Sequence, residues 1–560
     1  MPLLTKCSAR LAVVMAVLVP VYYAVFYAPY GMDTTDFGFF YGYAWRIVQG
    51  EIPYRDFFYI NPAVPLFWHA LWMTLTPEKY TILGGKLGFI AEMLASSWLA
   101  ALFLGKIFDF KRMELPTALL ATAGFVWGVH TFPAMPWHTV DGIFFAAAAL
   151  YAGVAGLPIM AGLLAGLAML TKQSYIFVPL GVAVALWYVR GRKRDALYCL
   201  AASALLWIGV WIFLRSVGAW EAFRSLTTGP LAIDEALQAG IYIYVFQEWW
   251  LPIMALLPWA AWKIWQRRSA HPQNPPVIFQ PVLVYLAIIA ARYMHTVGVQ
   301  HAWIGFGESW PTLWVLLGGL CVLFPRVFLQ DYLQTQDAAG LSYPHPLLRG
   351  STALGAALLV AWSVAVSGGY KIPAFFAVPL IFSLVLVYAR WGGAPRVAAW
   401  TVLVLGLLMF RVGFEYPYVF PQRPMPLSSL TYPAGEVFSK ARGVYVDKQM
   451  FETLQELKAL RAKYGPNYRT LPGFPMAYFL TNDKPAFPSE WLLDWQINGR
   501  VEEVYQLLVD KDIVVFMERD QLDTVQADGY ARAKYSVPQR VRKEWRIVDE
   551  TPHFVVFKRP

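Results

Sequence analysis

Hydrophobic positions are unevenly spread along this chain. Up to about Phe414 they gather in continuous runs of roughly 15–25 residues, the length of helices that cross a ~30 Å hydrocarbon core. The runs do not alternate apolar with polar residues, so they do not read as β-barrel spans. Beyond about residue 430 the pattern is that of a soluble domain. FETLQELKALRAKY (451–464) repeats apolar residues at helical spacing, and 501–508 starts a second helix. IVVF (513–516) and FVVF (554–557) read as short buried strands, with prolines such as Pro472 and Pro475 marking turns.

The basic residues order the apolar runs. Lys106, Lys111 and Arg112 lie in one short loop, Arg190, Arg192, Lys193 and Arg194 in a second, and Lys263, Arg267 and Arg268 in a third; Arg390 and Arg396 flank a fourth. All four are expected on the cytoplasmic side. So is the N-terminus, where Lys6 and Arg10 precede an apolar run with no small-residue cleavage site after it. One orientation satisfies every loop only if 63–75, which is short and follows Pro62, is a re-entrant or interfacial segment. The spans then fall near 11–29, 81–105, 115–130, 141–156, 158–171, 174–189, 195–216, 241–263, 277–293, 310–324, 351–369, 373–390 and 396–414, about thirteen by this count. An odd number puts the C-terminal part outside. The expected fold is an α-helical polytopic membrane domain, 1–420, with a first outer loop at 30–80 and an extracytoplasmic α/β domain at 430–560.

Composition supports the division. The chain is 58% hydrophobic and 15% charged, against roughly 25% charged in an ordinary soluble domain. Its formal charge of +10 is concentrated in the short loops, with no basic, aromatic-laced stripe suited to nucleic acid. Cys7, Cys199 and Cys321 all lie outside the C-terminal part and form no CxxC pair, so neither a disulfide framework nor a zinc knuckle is expected.

Four places concentrate polar chemistry. The first outer loop, GMDTTDFGFFYGYAWRIVQGEIPYRDFFYINP, carries Asp33, Asp36, Glu51, Arg55 and Asp56 among many aromatics. A helix over 37–48 is expected to lie in the membrane interface with Asp36 as its N-cap. Asp36 reads either as that cap or as a general base for an acceptor hydroxyl or amine. With Asp33 it can also ligate a hard divalent cation. Asp141, in MPWHTVDGIFF, stands at the outer end of a span, either lining a polar cavity or exposed in a loop, with His138 nearby. Lys172, in LTKQ, lies between two spans and either meets a phosphate or snorkels to the interface. The stretch ARYMHTVGVQHAWIGFGESWP offers Arg292 as a phosphate contact, with His295, His301 and Glu308. Its two histidines, six apart, do not match a zinc helix.

The order of these pieces resembles the GT-C superfamily of membrane glycosyltransferases. An outer-loop Asp36 is followed by Ala44, Gly50, PYRDF, the NPAVPLFWHAL segment, Asp141 and LTKQ. The similarity is greatest to the bacterial branch related to protein mannosyltransferases and lipid A aminoarabinose transferases. It covers about residues 10–190 well and the rest of the span region in general outline. Two departures are visible: Phe37 follows Asp36 where the family has a second acidic residue, and Asn61-Pro62 replaces Pro-Pro. The resemblance implies a sugar donor on polyprenyl phosphate and direct displacement with inversion. It implies Asp36 as base, Asp141 as a second carboxylate, Lys172 and Arg292 on the leaving phosphate, and Asp33, Arg55, Asp56, His138 and His301 in support. The acceptor would be a lipid, glycan or protein, and the setting a bacterial inner membrane. The competing expectation is a transporter or lipid flippase without covalent chemistry.

Overall fold

The computed structural model describes residues 2–108, 110–113, 117–131, 134–228, a few positions within 355–363, 395–415, 425–521 and 535–560. Arg292, His301 and the spans expected at 241–263, 277–293, 310–324 and 373–390 lie outside the described residues, as does most of 351–369.

The helices before residue 228 are α1 (Pro2–Phe26), α2 (Asp36–Val48), α3 (Val64–Leu75), α4 (Thr81–Ile107), the single turn α5 (Phe110–Met113), α6 (Thr117–Thr131), α7 (His138–Ala155), α8 (Pro158–Met169), α9 (Val178–Arg190), α10 (Lys193–Ser216) and α11 (Trp220–Thr227). Helix α12 (Pro395–Glu415) packs back on α6. The expected apolar segments in this part are all helical. α1 begins earlier than expected, at Pro2, because nothing in its polar first turns breaks a helix. The turn from α7 to α8 has Gly156 at φ +91° just past one helix and Pro158 just inside the next, the usual placement of these two residues. Gly162 and Gly166, four apart on α8, bring α10 close: a Cβ on Gly162 would stand 2.2 Å from the Cys199 carbonyl oxygen. Ser203 Oγ donates to the Gly162 carbonyl at 2.7 Å across the same contact. Small residues at this spacing are how helices approach without a hydrophobic drive between them.

Three described helical stretches are long and apolar enough to cross a membrane: Glu78–Ile107, His138–Ala155 and Lys193–Ser216. Val13–Phe26, Val64–Leu75, Thr117–His130 and Pro158–Met169 are apolar but shorter. The segments expected as full spans at 158–171 and 174–189 are helices of 12 and 13 residues, about 18–20 Å long. Each is too short to cross a full core alone, which corrects their reading as ordinary spans. α10 turns Leu197, Leu205, Ile208 and Ile212 outward, an apolar outer face suited to lipid.

From 425 onward the chain forms an α/β domain. β1 (Tyr432–Pro433) pairs antiparallel with β2 (Tyr445–Val446). Then follow α13 (Lys448–Tyr464), β3 (Tyr468–Leu471), α14 (Ala477–Thr481), α15 (Val501–Asp510), β4 (Val514–Glu518), α16 (Ser536–Glu544), β5 (Arg546–Glu550) and β6 (Phe554–Lys558). The sheet order is β3-β4-β6-β5, with β3 and β4 parallel and the other pairs antiparallel. β4 and β6 are central and buried on both faces, which is why their sequences are unbroken apolar runs. Val515, Met517 and Phe557 pack on Val504, Leu508 and Val541, while Phe516 and Val556 join the cluster that holds Leu454 and Leu457.

That second cluster is continuous with the helices. Tyr445 N donates to the Pro29 carbonyl at 2.7 Å, Gly31 N to Tyr445 at 2.8 Å, and Phe58 N to Pro488 at 2.7 Å. Helix α2 lies between the bundle and the C-terminal domain, with Phe37, Phe39, Phe40, Tyr41, Tyr43 and Ala44 all buried. The helix expected at 37–48 is present, and its aromatic residues are covered by protein. Gly38 and Gly42 make the contact possible, since a Cβ on Gly38 would stand 2.7 Å from Met476 N and one on Gly42 3.0 Å from the Pro475 oxygen.

Candidate active site

Asp36 is the first residue of α2 and not its cap. Thr35 precedes the helix, and no side chain closes its N-terminus. Asp33 orders this entry instead: its Oδ1 accepts from Thr35 N at 2.7 Å and from Thr35 Oγ1 at 2.6 Å. Asp33 is 5% exposed and its Oδ2 has no hydrogen-bond partner. Lys86 fixes the start of the same loop by donating from Nζ to the carbonyls of Tyr30 and Gly31, both at 2.6 Å.

Lys172, from a distant part of the chain, lies within electrostatic reach of Asp36. It sits in extended backbone between α8 and a 3-10 turn at Gln173–Tyr175. Gln173 Nε2 donates to the Ile60 carbonyl at 2.6 Å, and Tyr175 Oη to the Thr139 carbonyl at 2.9 Å. These two bonds tie the Lys172 turn to the end of the outer loop and to the start of α7. Burial raises the Asp36 carboxyl to about 7; the Asp33 charge adds to this and the Lys172 ammonium opposes it. Burial lowers the Lys172 ammonium to about 7 against the pull of Asp36. Burial also raises Asp33, to about 6, with the Thr35 hydrogen bonds holding it down. A carboxyl tuned close to neutrality is suited to proton transfer, and the ammonium beside it to a phosphate.

A second polar cluster lies deeper. Asp141 is in the first turn of α7 and wholly buried, with Oδ2 3.1 Å from His69 Nε2 of α3. It is thus a buried helix residue and not an exposed loop residue. Glu92 of α4 accepts from Trp68 Nε1 and is within electrostatic reach of both Asp141 and His69. His138 is buried against Phe40, ring centroids 4.8 Å apart, and Phe40 also touches His69. Lys172 and His69 both lie within electrostatic reach of His138. Asp33, Asp36, Lys172, His138 and Asp141 are therefore brought into one region, joined through His69.

Arg55 and Asp56 do not contribute in this way. They pair with each other on an exposed turn at 2.7 Å, and Asp56 also accepts from Ile52 N. Three residues not singled out from sequence do join the region. His69 is a lone histidine in the apolar NPAVPLFWHAL segment, and its isolation was the available signal. Glu518, at the end of β4, and Tyr535, just before α16, come from the C-terminal domain, and no local pattern marks either.

Among the described residues no group of three or more histidine, cysteine or acidic side chains could hold a metal ion.

The molecule is thus a helical bundle with an α/β domain seated on it and an ionisable site where the two meet. No family model matches the chain, and no curated protein sequence matches it. It is similar to solved structures of an oligosaccharyltransferase from Archaeoglobus fulgidus. One, tethered to an acceptor peptide, aligns with 99% of this chain and 74% of its own at 11% identity, TM-score 0.44. A second, in complex with zinc and sulfate, aligns with 97% and 71% at 11% identity, TM-score 0.42. A third, with an inhibitory peptide and a dolichol-phosphate, aligns with 98% and 74% at 12% identity, TM-score 0.41.

Proposed function

We propose that this chain is a polytopic glycosyltransferase of the GT-C type, moving a sugar from a polyprenyl-phosphate donor to an extracytoplasmic acceptor with inversion. The observation that carries the reading is that the start of α2 and the Lys172 turn are brought together, with Gln173 Nε2 bonded to the Ile60 carbonyl of the outer loop at 2.6 Å and Asp36 and Lys172 within electrostatic reach of each other. Asp36 takes the proton of the acceptor hydroxyl or amine. The acceptor atom bonds to the anomeric carbon as the bond from that carbon to the phosphate oxygen breaks. Lys172, with Arg292, stabilises the polyprenyl phosphate that leaves. Asp141, buried with Oδ2 3.1 Å from His69 Nε2, is the second carboxylate, which orients the acceptor. Lys172 supplies positive charge at the site. The setting we propose is a bacterial inner membrane with the C-terminal domain outside.

The test is transfer of label from a polyprenyl-phosphate sugar in membranes containing the full chain. Asp36→Asn is expected to keep expression and fold but lose transfer. Full activity in that variant sinks the assignment.

One observation favours a second reading. Glu92, Asp141 and His69 form an ionisable cluster between α3, α4 and α7, and such clusters inside helix bundles also serve ion-coupled transport. Substrate flux in proteoliposomes without a covalent product would support a transporter or flippase.

A further inference from the structure

Lys86 is a buried ionisable residue inside the apolar helix α4. Among the described residues no carboxylate lies within electrostatic reach of it, so its ammonium bears the cost of leaving water without an opposite charge. A leucine at this place would avoid that cost. Ionisable residues within such helices mark functional positions. Lys86 Nζ donates to the carbonyls of Tyr30 and Gly31, both at 2.6 Å. These carbonyls belong to the peptide units on either side of the Gly31 Cα, and the φ of +77° at that glycine sets the angle between them. One ammonium, with three N–H donors, serves both from a single atom.

The C-terminal domain holds the same stretch from another side. Tyr445 N donates to the Pro29 carbonyl at 2.7 Å and Gly31 N to the Tyr445 carbonyl at 2.8 Å, and the Tyr30 and Tyr445 rings stack with centroids 5.7 Å apart. Tyr30 N donates back to the Tyr27 carbonyl at 3.1 Å. Proline has no N–H, so every main-chain donor and acceptor from Pro29 to Gly31 has a partner. From Gly31 the chain runs through Met32, Asp33, Thr34 and Thr35, all buried, to Asp36. Asp33 closes the second half of that run on Thr35. A displacement at Gly31 thus finds little slack before it reaches Asp36. Helix α4 is held independently by its packing on α6 and α7.

We propose that Lys86 is a positioning residue for the reaction at Asp36. Its ammonium sets the path of residues 30–35, and the placement of the base follows from that path. Lys86 acts through the main chain and not on substrate. Its effect on rate rests on the glycosyltransferase reading; its effect on the loop rests on the main-chain bonds alone.

The test uses the full chain in detergent and two variants. Lys86→Met keeps the length of the lysine stem and removes every donor. Lys86→Gln fills the space less well and keeps an amide that can donate. Hydrogen–deuterium exchange, read by mass spectrometry, follows the amides of 30–37. Protection is expected to run from wild type down to Lys86→Gln and then Lys86→Met. Exchange in Lys86→Met should be about ten-fold faster than wild type or more, the scale of a lost bond to a charged group, with 95–107, β4 and β6 unchanged. A packing role puts Lys86→Met closer to wild type than Lys86→Gln. An equal or reversed order therefore overturns the proposal, as does exchange that rises alike in every segment or in none. If Lys86→Met does not fold, Lys86→Gln against wild type decides by the same local criterion. In transfer, kcat should fall in the same order while KM for the polyprenyl-phosphate sugar and binding of farnesyl phosphate hold, because Lys172 is untouched. A loop that loosens without loss of kcat, or with the loss in KM alone, overturns the role at Asp36. Failure of wild type to bind farnesyl phosphate or to transfer sugar overturns the glycosyltransferase reading instead, and the order of exchange still decides what Lys86 holds.

Discussion

Arg46 of α2 and Glu490 of the C-terminal domain form an ion pair in which both side chains are almost wholly buried. Arg46 also bonds to Glu51 at 2.8 Å and to the Phe487 carbonyl. Arg469 stands 3.7 Å from the other Glu490 oxygen. Removing the Glu490 charge therefore leaves two buried guanidiniums short of a partner. Breaking such a pair from one side costs roughly 3–5 kcal/mol. Glu490→Ala is expected to lower the unfolding temperature in detergent and to loosen the domain from α2. Limited proteolysis checks the second point: the domain should be released from Glu490→Ala under conditions that leave wild type whole.

Asp36 and Lys172 predict a narrow pH optimum. The base works only when ionised, so activity rises with pH through about 7, where burial has placed the Asp36 carboxyl. The phosphate contact works only when protonated, so activity falls as Lys172 loses its proton around the same pH. A pH–rate profile of transfer in membranes should be bell-shaped. Lys172→Arg keeps its charge at all pH values, so the alkaline limb should vanish while the acid limb stays. An alkaline limb that survives in this variant assigns it to another group.

The same shift has a consequence for stability. A carboxyl whose folded-state pKa is raised gives stability that is fully present below the unfolded value and lost as pH rises through the folded one. Ionised Asp36 is thus a burden on the fold at pH 8 and none at pH 4. Asp36→Asn should unfold at a higher temperature than wild type at pH 8, and the gap should close toward pH 4. A constant gap across that range would mean that the carboxyl is not shifted.

Much of this was legible in the chain because it is local. Helix bounds follow apolar runs and their Gly and Pro punctuation, and 81–105 and 195–216 correspond closely to α4 and α10. β4 and β6 are buried on both faces, so their composition alone marks them. β3 (YRTL) and β5 (RIVDE) were not read as strands. β3 carries a buried arginine and threonine, and β5 is an exposed edge, so neither has an apolar pattern. Asp36 and Lys172 are marked in sequence by the motifs around them. The seat of the C-terminal domain on α2 is not legible there, because Gly38, Gly42 and Glu490 act only across contacts hundreds of residues apart. A glycine that permits close approach looks the same in sequence as any other glycine.

Those glycines give the last prediction. A methyl group on Gly38 would stand 2.7 Å from Met476 N and 2.9 Å from Met476 Cβ. The first of these is backbone and cannot rotate away, so α2 and the C-terminal domain must separate. Gly50 lies just past the end of α2 with nothing within 4 Å of its Cβ position, but its φ of +85° is one that L-residues rarely adopt. Alanine there strains only the local turn, by about 1 kcal/mol. Gly38→Ala should therefore cost more stability than Gly50→Ala, in the 1–3 kcal/mol range of overpacked cores. It should also lower transfer, since the displaced domain carries Tyr535, which lies within electrostatic reach of Asp36, away from it. Unfolding temperature and transfer rate measured side by side separate the two effects. Equal losses in the two variants would mean that close packing of the domain on α2 does not hold the site together.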